Sequence, residues 1–334
     1  MKKPRIGITI GDPSGIGPEI SLKALRHEEV LDTSIPLLYG DEYVLRRAIS
    51  ILGGDIRLRV LRSPKETLDE RAVNIVSPDV LNEPWEYAKI QGKCGKAAFE
   101  YIKRAIDDAL DGALDAVVTG PINKEALHEG GVPYSGHTEI FADLTATKDY
   151  AMLLTGGDIR VIHISTHISL RKACDRVKKE RVLSVIRLAE EATRGLGVAE
   201  PRIAVAGLNP HSGEGGLFGD EEIDEIIPAI EEAGREGIKV AGPVPPDTVF
   251  LKTARGEFDI VVAMYHDQGH IPLKLTDFMG GVNITVGLPI IRTSVDHGTA
   301  FGKAGKGTAD ESSMLAAIRS AVNLAHSRKQ SNGG

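Results

Sequence analysis

FDIVVAMYHDQGHIPLKLTDFMGGVNITVGLPIIRTSVDHGTAFGKAGKGTAD, residues 258–310, is the stretch on which the fold turns. An apolar run from Ile260 to Met264 stops at His266 and Asp267. Lys274 follows, then a second β-like run from Val282 to Val286 with Asn283 inside it, then Arg292, Asp296, His297 and a glycine-rich loop. Imidazole, carboxylate, cation and bendable backbone crowd into one segment, as in an active site. Working outward, similar Val/Ile-rich runs lie at 5–10, 35–40, 115–120, 150–155, 159–165 and 202–207, alternating with longer helical patterns except where only 156–158 part the fourth run from the fifth. Such alternation predicts an α/β fold built of βαβ units, with a mainly parallel sheet covered on both faces.

The clearest helix runs from Gly95 to Leu110, where Ala98, Ile102, Ile106 and Leu110 recur every fourth residue and Lys103, Arg104, Asp107 and Asp108 fill the wet face. Further helical patterns cover 180–194, 220–235 and 312–324. The tail from His326 to Gly334 has nothing to bury and is expected to fray. A chain of 334 residues exceeds what one hydrophobic core usually carries, so two lobes or one large α/β unit are expected. The glycine pairs Gly130-Gly131 and Gly280-Gly281 mark the candidate joins.

A net charge of -7 argues against nucleic acid as partner, because a phosphate backbone calls for a basic face. Cys94 and Cys174 stand outside any CxxC pattern, which suggests neither a disulfide framework nor a thiolate metal site and fits a cytoplasmic protein. The first apolar run is broken at Gly11-Asp12-Pro13 before a signal peptide forms, and no apolar stretch reaches the roughly 20 residues that span a bilayer.

Three histidines share a position. His167, His211 and His266 each stand just past the carboxyl end of a predicted strand, the edge at which open parallel sheets bind ligands. They read either as a three-imidazole metal site with open coordination positions or as ordinary loop histidines. His163, inside a strand run, reads as structural; His27, His128 and His326 read as surface. In GPINKEALHEGG (120–131) a strand end delivers Asn123 and Lys124 to the same edge, and His137-Thr138-Glu139 opens a helix whose N–H groups and Thr138 hydroxyl suit an anion; an ordinary helix start is the plainer reading. Lys274, Asn283 and Arg292 would grip a phosphate or carboxylate if the substrate carries one, solvated surface charge being the plainer reading of the two cations. GDPSGIGPE (11–19) lacks the third glycine of the dinucleotide fingerprint and reads as a turn into a helix at Pro18, while 302–308 fails the Walker A spacing.

At these residues the sequence resembles the 4-hydroxythreonine-4-phosphate dehydrogenase family, through GDPSGIGPE, TGPINK, SGHTE, LNPHSGEGG, MYHDQGHIP and GLPIIRTSVDHGTA, in order from Gly11 to Asp310. The resemblance implies two α/β/α lobes with a central cleft, similar to isocitrate and isopropylmalate dehydrogenases. One lobe would hold 1–129 and 281–334; the other, 130–280, would carry the metal ligands and the dimer interface. It implies that His167, His211 and His266 bind a divalent metal shared across a homodimer, Zn first, with Mg, Mn or Co as alternatives. His137, Thr138, Lys274, Asn283 and Arg292 would contact a phosphorylated four-carbon hydroxy acid, with Asp247, Asp267 and Lys274 the catalytic candidates. Ser294, Asp296, His297, Gly298, Gly305 and Gly307 would bind NAD; Gly302-Lys303 departs from the expected pair and leaves NADP open. The implied reaction oxidises C3 of 4-phosphohydroxy-L-threonine and releases CO₂, giving 3-amino-2-oxopropyl phosphate for pyridoxal phosphate biosynthesis. D-threonate or D-erythronate 4-phosphate, giving dihydroxyacetone phosphate, is the alternative substrate, and a metallohydrolase of a phosphorylated metabolite the rival of another class.

Overall fold

The computed structural model describes residues 2–69, 71–276 and 281–331. The chain starts with β1 (Arg5–Thr9), α1 (Gly17–Ala24), α2 (Glu28–Thr33), β2 (Ile35–Tyr39), α3 (Glu42–Leu52), β3 (Leu58–Leu61) and β4 (Val73–Val76). It continues with α4 (Gly92–Leu110), β5 (Ala116–Thr119), α5 (Lys124–Glu129) and α6 (His137–Leu144). Next come β6 (Ala151–Gly156), β7 (Ile159–His163), α7 (Leu170–Arg176), α8 (Lys179–Gly195), β8 (Ile203–Ala206) and α9 (Ile227–Arg235). After these follow β9 (Val240–Val244), α10 (Pro246–Ala254), β10 (Ile260–Ala263), α11 (His266–Thr276), β11 (Val282–Val286), β12 (Arg292–Val295) and α12 (Ser312–Ser331). The fold is mixed α/β, as the alternation of runs predicts. No helix among the described residues is long and apolar enough to cross a membrane.

The chain divides into two compact units, one of residues 1–147 and 288–326, the other of 148–287 and 327–334. The joins therefore fall at Thr147-Lys148 and Gly287-Leu288, not near 130 and 280, and His137 and Thr138 belong to the first unit. Gly130 marks a close approach between helices: a Cβ there would stand 2.4 Å from the Gly92 carbonyl oxygen, and one on Gly95 2.0 Å from that of Ala126. These glycines let α4 and α5 touch backbone to backbone. Gly280, the other expected join, lies outside the described residues.

In the first unit the strands run β3-β4-β2-β1-β5-β12, all parallel. Their carboxyl ends lie at one edge, so the loops after β1, β5 and β12 are neighbours. The apolar stripe of α4, including Ala98, Ile102 and Ile106, is fully buried. Two expectations for that helix fail at its last turn. Leu110 is 48% exposed while Asp108 is buried, because the Tyr39 hydroxyl donates to Asp108 Oδ2 at 2.9 Å and Arg104 Nε at 2.9 Å. The tail also departs from expectation, since α12 continues to Ser331.

In the second unit the order is β11-β6-β7-β10-β8-β9. β6 runs antiparallel to both β11 and β7, and β7, β10, β8 and β9 are mutually parallel. Val161, Ala204, Val261 and Ala263 pack with Val249, Phe250 and Leu273 from α10 and α11 into one apolar core. Burial of these side chains drives the sheet's formation. The strands at 58–61, 73–76, 240–244 and 292–295 escape the sequence reading because they are short and, in β3 and β9, largely exposed.

Candidate active site

β7, β10 and β8 are consecutive neighbours in the second unit, so the three histidines that follow them leave one sheet edge. The structure brings two together: the rings of His167 and His266 lie 5.8 Å apart between centroids. His211 does not join them within one chain, and among the described residues no group of three His, Cys, Asp or Glu side chains is placed to hold a metal ion. His266 Nδ1 meets Asp267 Oδ1 at 2.6 Å, the carboxylate partner that orients an imidazole with its Nε2 outward. Beneath the β10–α11 turn, Gln268 accepts from the Met264 N–H at 2.6 Å and donates to the Gly207 carbonyl at 2.8 Å. It couples the His266 turn to the start of the His211 loop.

That loop is unusual. His211, Ser212 and Glu214 have φ of 51°, 56° and 46°, in the left-handed region that side chains avoid. The strain persists because the surroundings overdetermine it. Buried Glu222 accepts the N–H groups of Leu208 and Asn209 at 2.7 and 2.8 Å, and Asn209 Nδ2 donates back to it at 2.9 Å. Glu222 begins a π-helical turn, Glu222–Ile226, where the sequence pattern predicts regular helix from 220. His211 packs only loosely on Phe218, at 6.5 Å between ring centroids.

His163 is structural, as its place in the strand predicts. It is 1% exposed and donates Nδ1–H to the Met152 carbonyl at 3.2 Å, and burial pulls its pKa down to about 3, so the ring is neutral. Its Nε2 lies against Gly269, where a Cβ would come within 2.4 Å. His270 is the residue that sequence reasoning missed. It stacks on His266 with centroids 3.6 Å apart and planes 10° from parallel, and its Nδ1 meets the His266 carbonyl at 3.0 Å. The signal was the i, i+4 spacing of two histidines on one helix. Lys274, one turn beyond His270 along α11, and Asn283, paired with Leu154 across β11 and β6, also belong to this unit. Asp247 is exposed in the first turn of α10.

The first unit holds Arg292, His137 and Thr138 of the expected substrate-binding residues. Arg292, at the start of β12, is 2% exposed; its Nη2 donates to Thr119 Oγ1 at 2.9 Å and its guanidinium lies 5.6 Å from the centre of the Phe141 ring. Burial pulls its pKa down to about 9, so this cation has given up its water. His137, first residue of α6, is partly exposed as a residue while its Nε2 is sealed from solvent. Burial, then the Arg292 charge, holds it well below the ordinary imidazole value, hence neutral. Thr138 and Glu139 complete the first turn of α6, whose N–H groups favour an anion. Asn123 departs from expectation: its side chain caps α5 by accepting from the Ala126 N–H at 2.8 Å.

Of the residues expected to hold a dinucleotide, Ser294 is buried, its hydroxyl donating to the Thr119 carbonyl at 3.2 Å, and His297 Nδ1 meets the Gly298 carbonyl at 2.9 Å. Asp296 is partly exposed beside them. A Cβ on Gly298 or Gly302 would meet nothing within 4 Å, so their backbone faces open space that a cofactor can approach. The N–H groups of Gly305 and Gly307 are taken by Glu19, each at 2.6 Å. What they supply is left-handed backbone, at φ of 75° and 68°.

Residues 32–321 match the family described as Pyridoxal phosphate biosynthetic protein PdxA. A relative from Oceanobacillus iheyensis, provisionally named D-threonate 4-phosphate dehydrogenase, is 50% identical over 327 residues, 97% of this chain and 98% of its own. D-threonate 4-phosphate dehydrogenase of Cupriavidus necator is 46% identical over 97% of this chain and 98% of its own. The crystal structure of 4-hydroxythreonine-4-phosphate dehydrogenase from Klebsiella pneumoniae superposes with a TM-score of 0.87 at 46% identity, covering 97% of this chain and 98% of that one. The chain is a dehydrogenase that belongs to the PdxA family.

Proposed function

We propose that the chain oxidises C3 of a 4-phosphorylated four-carbon 3-hydroxy acid and decarboxylates the product, with D-threonate 4-phosphate as first substrate. The observation that carries this reading is the buried Arg292 beside a neutral His137 at the N-terminus of α6, a site with the charge and donors for a phosphate monoester. The names of the relatives from Oceanobacillus and Cupriavidus support the 2-hydroxy acid. The name of the Klebsiella structure supports the second reading, 4-phosphohydroxy-L-threonine, which the sequence reading ranks first.

A nicotinamide dinucleotide bound at 294–310 would supply the hydride acceptor, and a divalent cation the charge that acidifies the C3 hydroxyl and polarises the resulting carbonyl. The donor chemistry fits: two imidazoles lie within reach of one ion of the Zn, Co or Mn type, and Gly298 and Gly302 leave backbone open to a dinucleotide. His167 and His266 would hold the ion with His211 of a second copy. Arg292, His137 and Thr138 would grip the phosphate and so hold the substrate in one pose. Asp247, exposed in the first turn of α10, and Asp267, paired with His266, are the carboxylates that would take the hydroxyl proton. Loss of CO₂ leaves an enolate whose charge the Lys274 ammonium balances. Exposed Lys303 beside Gly302 suits the extra phosphate of NADP as well as NAD.

A homodimer with shared sites is supported by the exposed apolar side chains of the second unit. Ile168, Leu217, Phe218, Leu251, Ile271 and Leu275 are 40–82% exposed and lie on the segments that carry His167, His211, Asp247 and His266. Exposed apolar side chains of this size, on the segments that carry the candidate ligands, suit a partner surface. The test is the appearance of NADH or NADPH absorbance with D-threonate, D-erythronate and hydroxythreonine 4-phosphates in turn, with and without added Zn, Mn or Mg. Turnover of the first substrate is expected to exceed the others; no reduction of either dinucleotide with any of them would refute the proposal.

A further inference from the structure

Glu19, the last residue of GDPSGIGPE, lies on α1 with no exposed surface. Its two carboxylate oxygens accept the N–H groups of Gly305 and Gly307, each at 2.6 Å. One turn along the same face, Lys23 Nζ donates to the Ala309 carbonyl at 2.5 Å and stands 3.8 Å from Glu311. Past the end of α1, His27 Nε2 meets Glu311 at 3.1 Å. The i, i+4 spacing thus aligns Glu19 and Lys23 with successive residues of the 305–311 segment, and His27 adds a contact at its end. On the other side of the loop, Tyr87 packs so closely on Gly305 that a Cβ would come within 2.7 Å of the ring. Arg47 covers Tyr87 and Trp85 at 4.7 and 4.4 Å from their ring centres.

A glycine loop left to itself samples many conformations, and ordering it on binding costs affinity. Here a buried, charge-assisted clasp has ordered it in advance, while Gly298 and Gly302 keep open backbone outward. We infer that Glu19 is a positioning residue for the dinucleotide, presetting the 302–307 loop in its receiving conformation. The inference rests on the assignment of this loop to the cofactor in the proposed function.

Glu19→Gln keeps the side chain's shape but turns an NH₂ toward one of the two N–H donors. The apo protein is titrated calorimetrically with NAD⁺ and NADP⁺, and amide hydrogen exchange is followed over 302–307. In the variant, Kd for the preferred dinucleotide is expected to rise about ten-fold with faster loop exchange, since the lost preorganisation is repaid on binding. KM for the dinucleotide should rise in parallel with kcat at saturation nearly unchanged, and affinity for inorganic phosphate should hold. Wild-type binding matched by equally tight binding to a folded variant overturns the role of Glu19 and leaves the cofactor assignment standing. Failure of the wild type to bind either dinucleotide overturns the assignment itself. If Glu19→Gln does not fold, Lys23→Met, which releases Ala309 and Glu311 from a partly exposed position, carries the test. Its Kd should rise about three-fold, and an unchanged value overturns the inference.

Discussion

Arg292 and Asp12 are both ionisable groups that the fold has dried, with opposite consequences. For Arg292 the loss of water is a cost that an arriving anion offsets, so Arg292→Ala should raise KM for the phosphorylated substrate about a hundred-fold with a much smaller change in kcat. Steady-state kinetics against substrate concentration checks it, and an unchanged KM would remove Arg292 from the site. Asp12 is fully buried in the turn after β1, with Oδ1 accepting from the Ser14 N–H at 2.8 Å and Oδ2 meeting no partner. Burial pushes its pKa from 3.8 up to about 6. The folded chain therefore holds a proton that the unfolded chain releases, and stability contributed at low pH is lost as pH rises through that window. Asp12→Asn should then be more stable than the wild type by about 2 kcal/mol above pH 6, with the gap closing toward pH 4. Thermal melts of both proteins across that range decide it: a variant no more stable at neutral pH contradicts the assignment.

Elements of this fold are held at their approach distances by glycine. Gly95 sits mid-contact between α4 and α5, where a methyl group would strike the Ala126 backbone, and backbone cannot yield as a flexible side chain does. Gly95→Ala should destabilise by about 3 kcal/mol through this overpacking, although alanine is the better helix former. Gly112 offers the contrast. Nothing lies within 4 Å of its added Cβ, so Gly112→Ala should cost about 1 kcal/mol, from its φ of 68° alone. Denaturant unfolding of the two variants separates contact from conformation, and equal losses would contradict the packing argument. A different device fastens the loops: Glu19 and Glu222 each end a turn's freedom by accepting two main-chain N–H groups.

At the scale of the whole molecule, one chain carries a pair of histidines and a third, strained one apart from it. If a second copy supplies His211, two variants that are each inactive should rescue one another. Mixing His211→Ala with His266→Ala after subunit exchange should restore about a quarter of wild-type activity, because half the dimers are mixed and each of these has one intact site. Absence of any rescue, with mixed dimers demonstrated by mass spectrometry, would place all three ligands in one chain or dismiss the set.

The α/β class, most of the strands and the sheet edge that gathers the polar residues were legible in the sequence, because a buried parallel strand must be an uninterrupted apolar run and its carboxyl end must be where polar residues resume. Periodicity is local, and it carried no further than that. It predicted Leu110 inside and Asp108 outside, and a hydroxyl from Tyr39, distant in sequence, reversed the pair. Glycines 130 and 131 read as a join between lobes, whereas the close contact of α4 and α5 assigns Gly130 to packing. The stack of His266 on His270, the left-handed turn at His211 and the grip of Glu19 on two amides 286 and 288 residues away depend on which segments meet in space. Long-range packing sets those meetings, and no spacing along the chain encodes them.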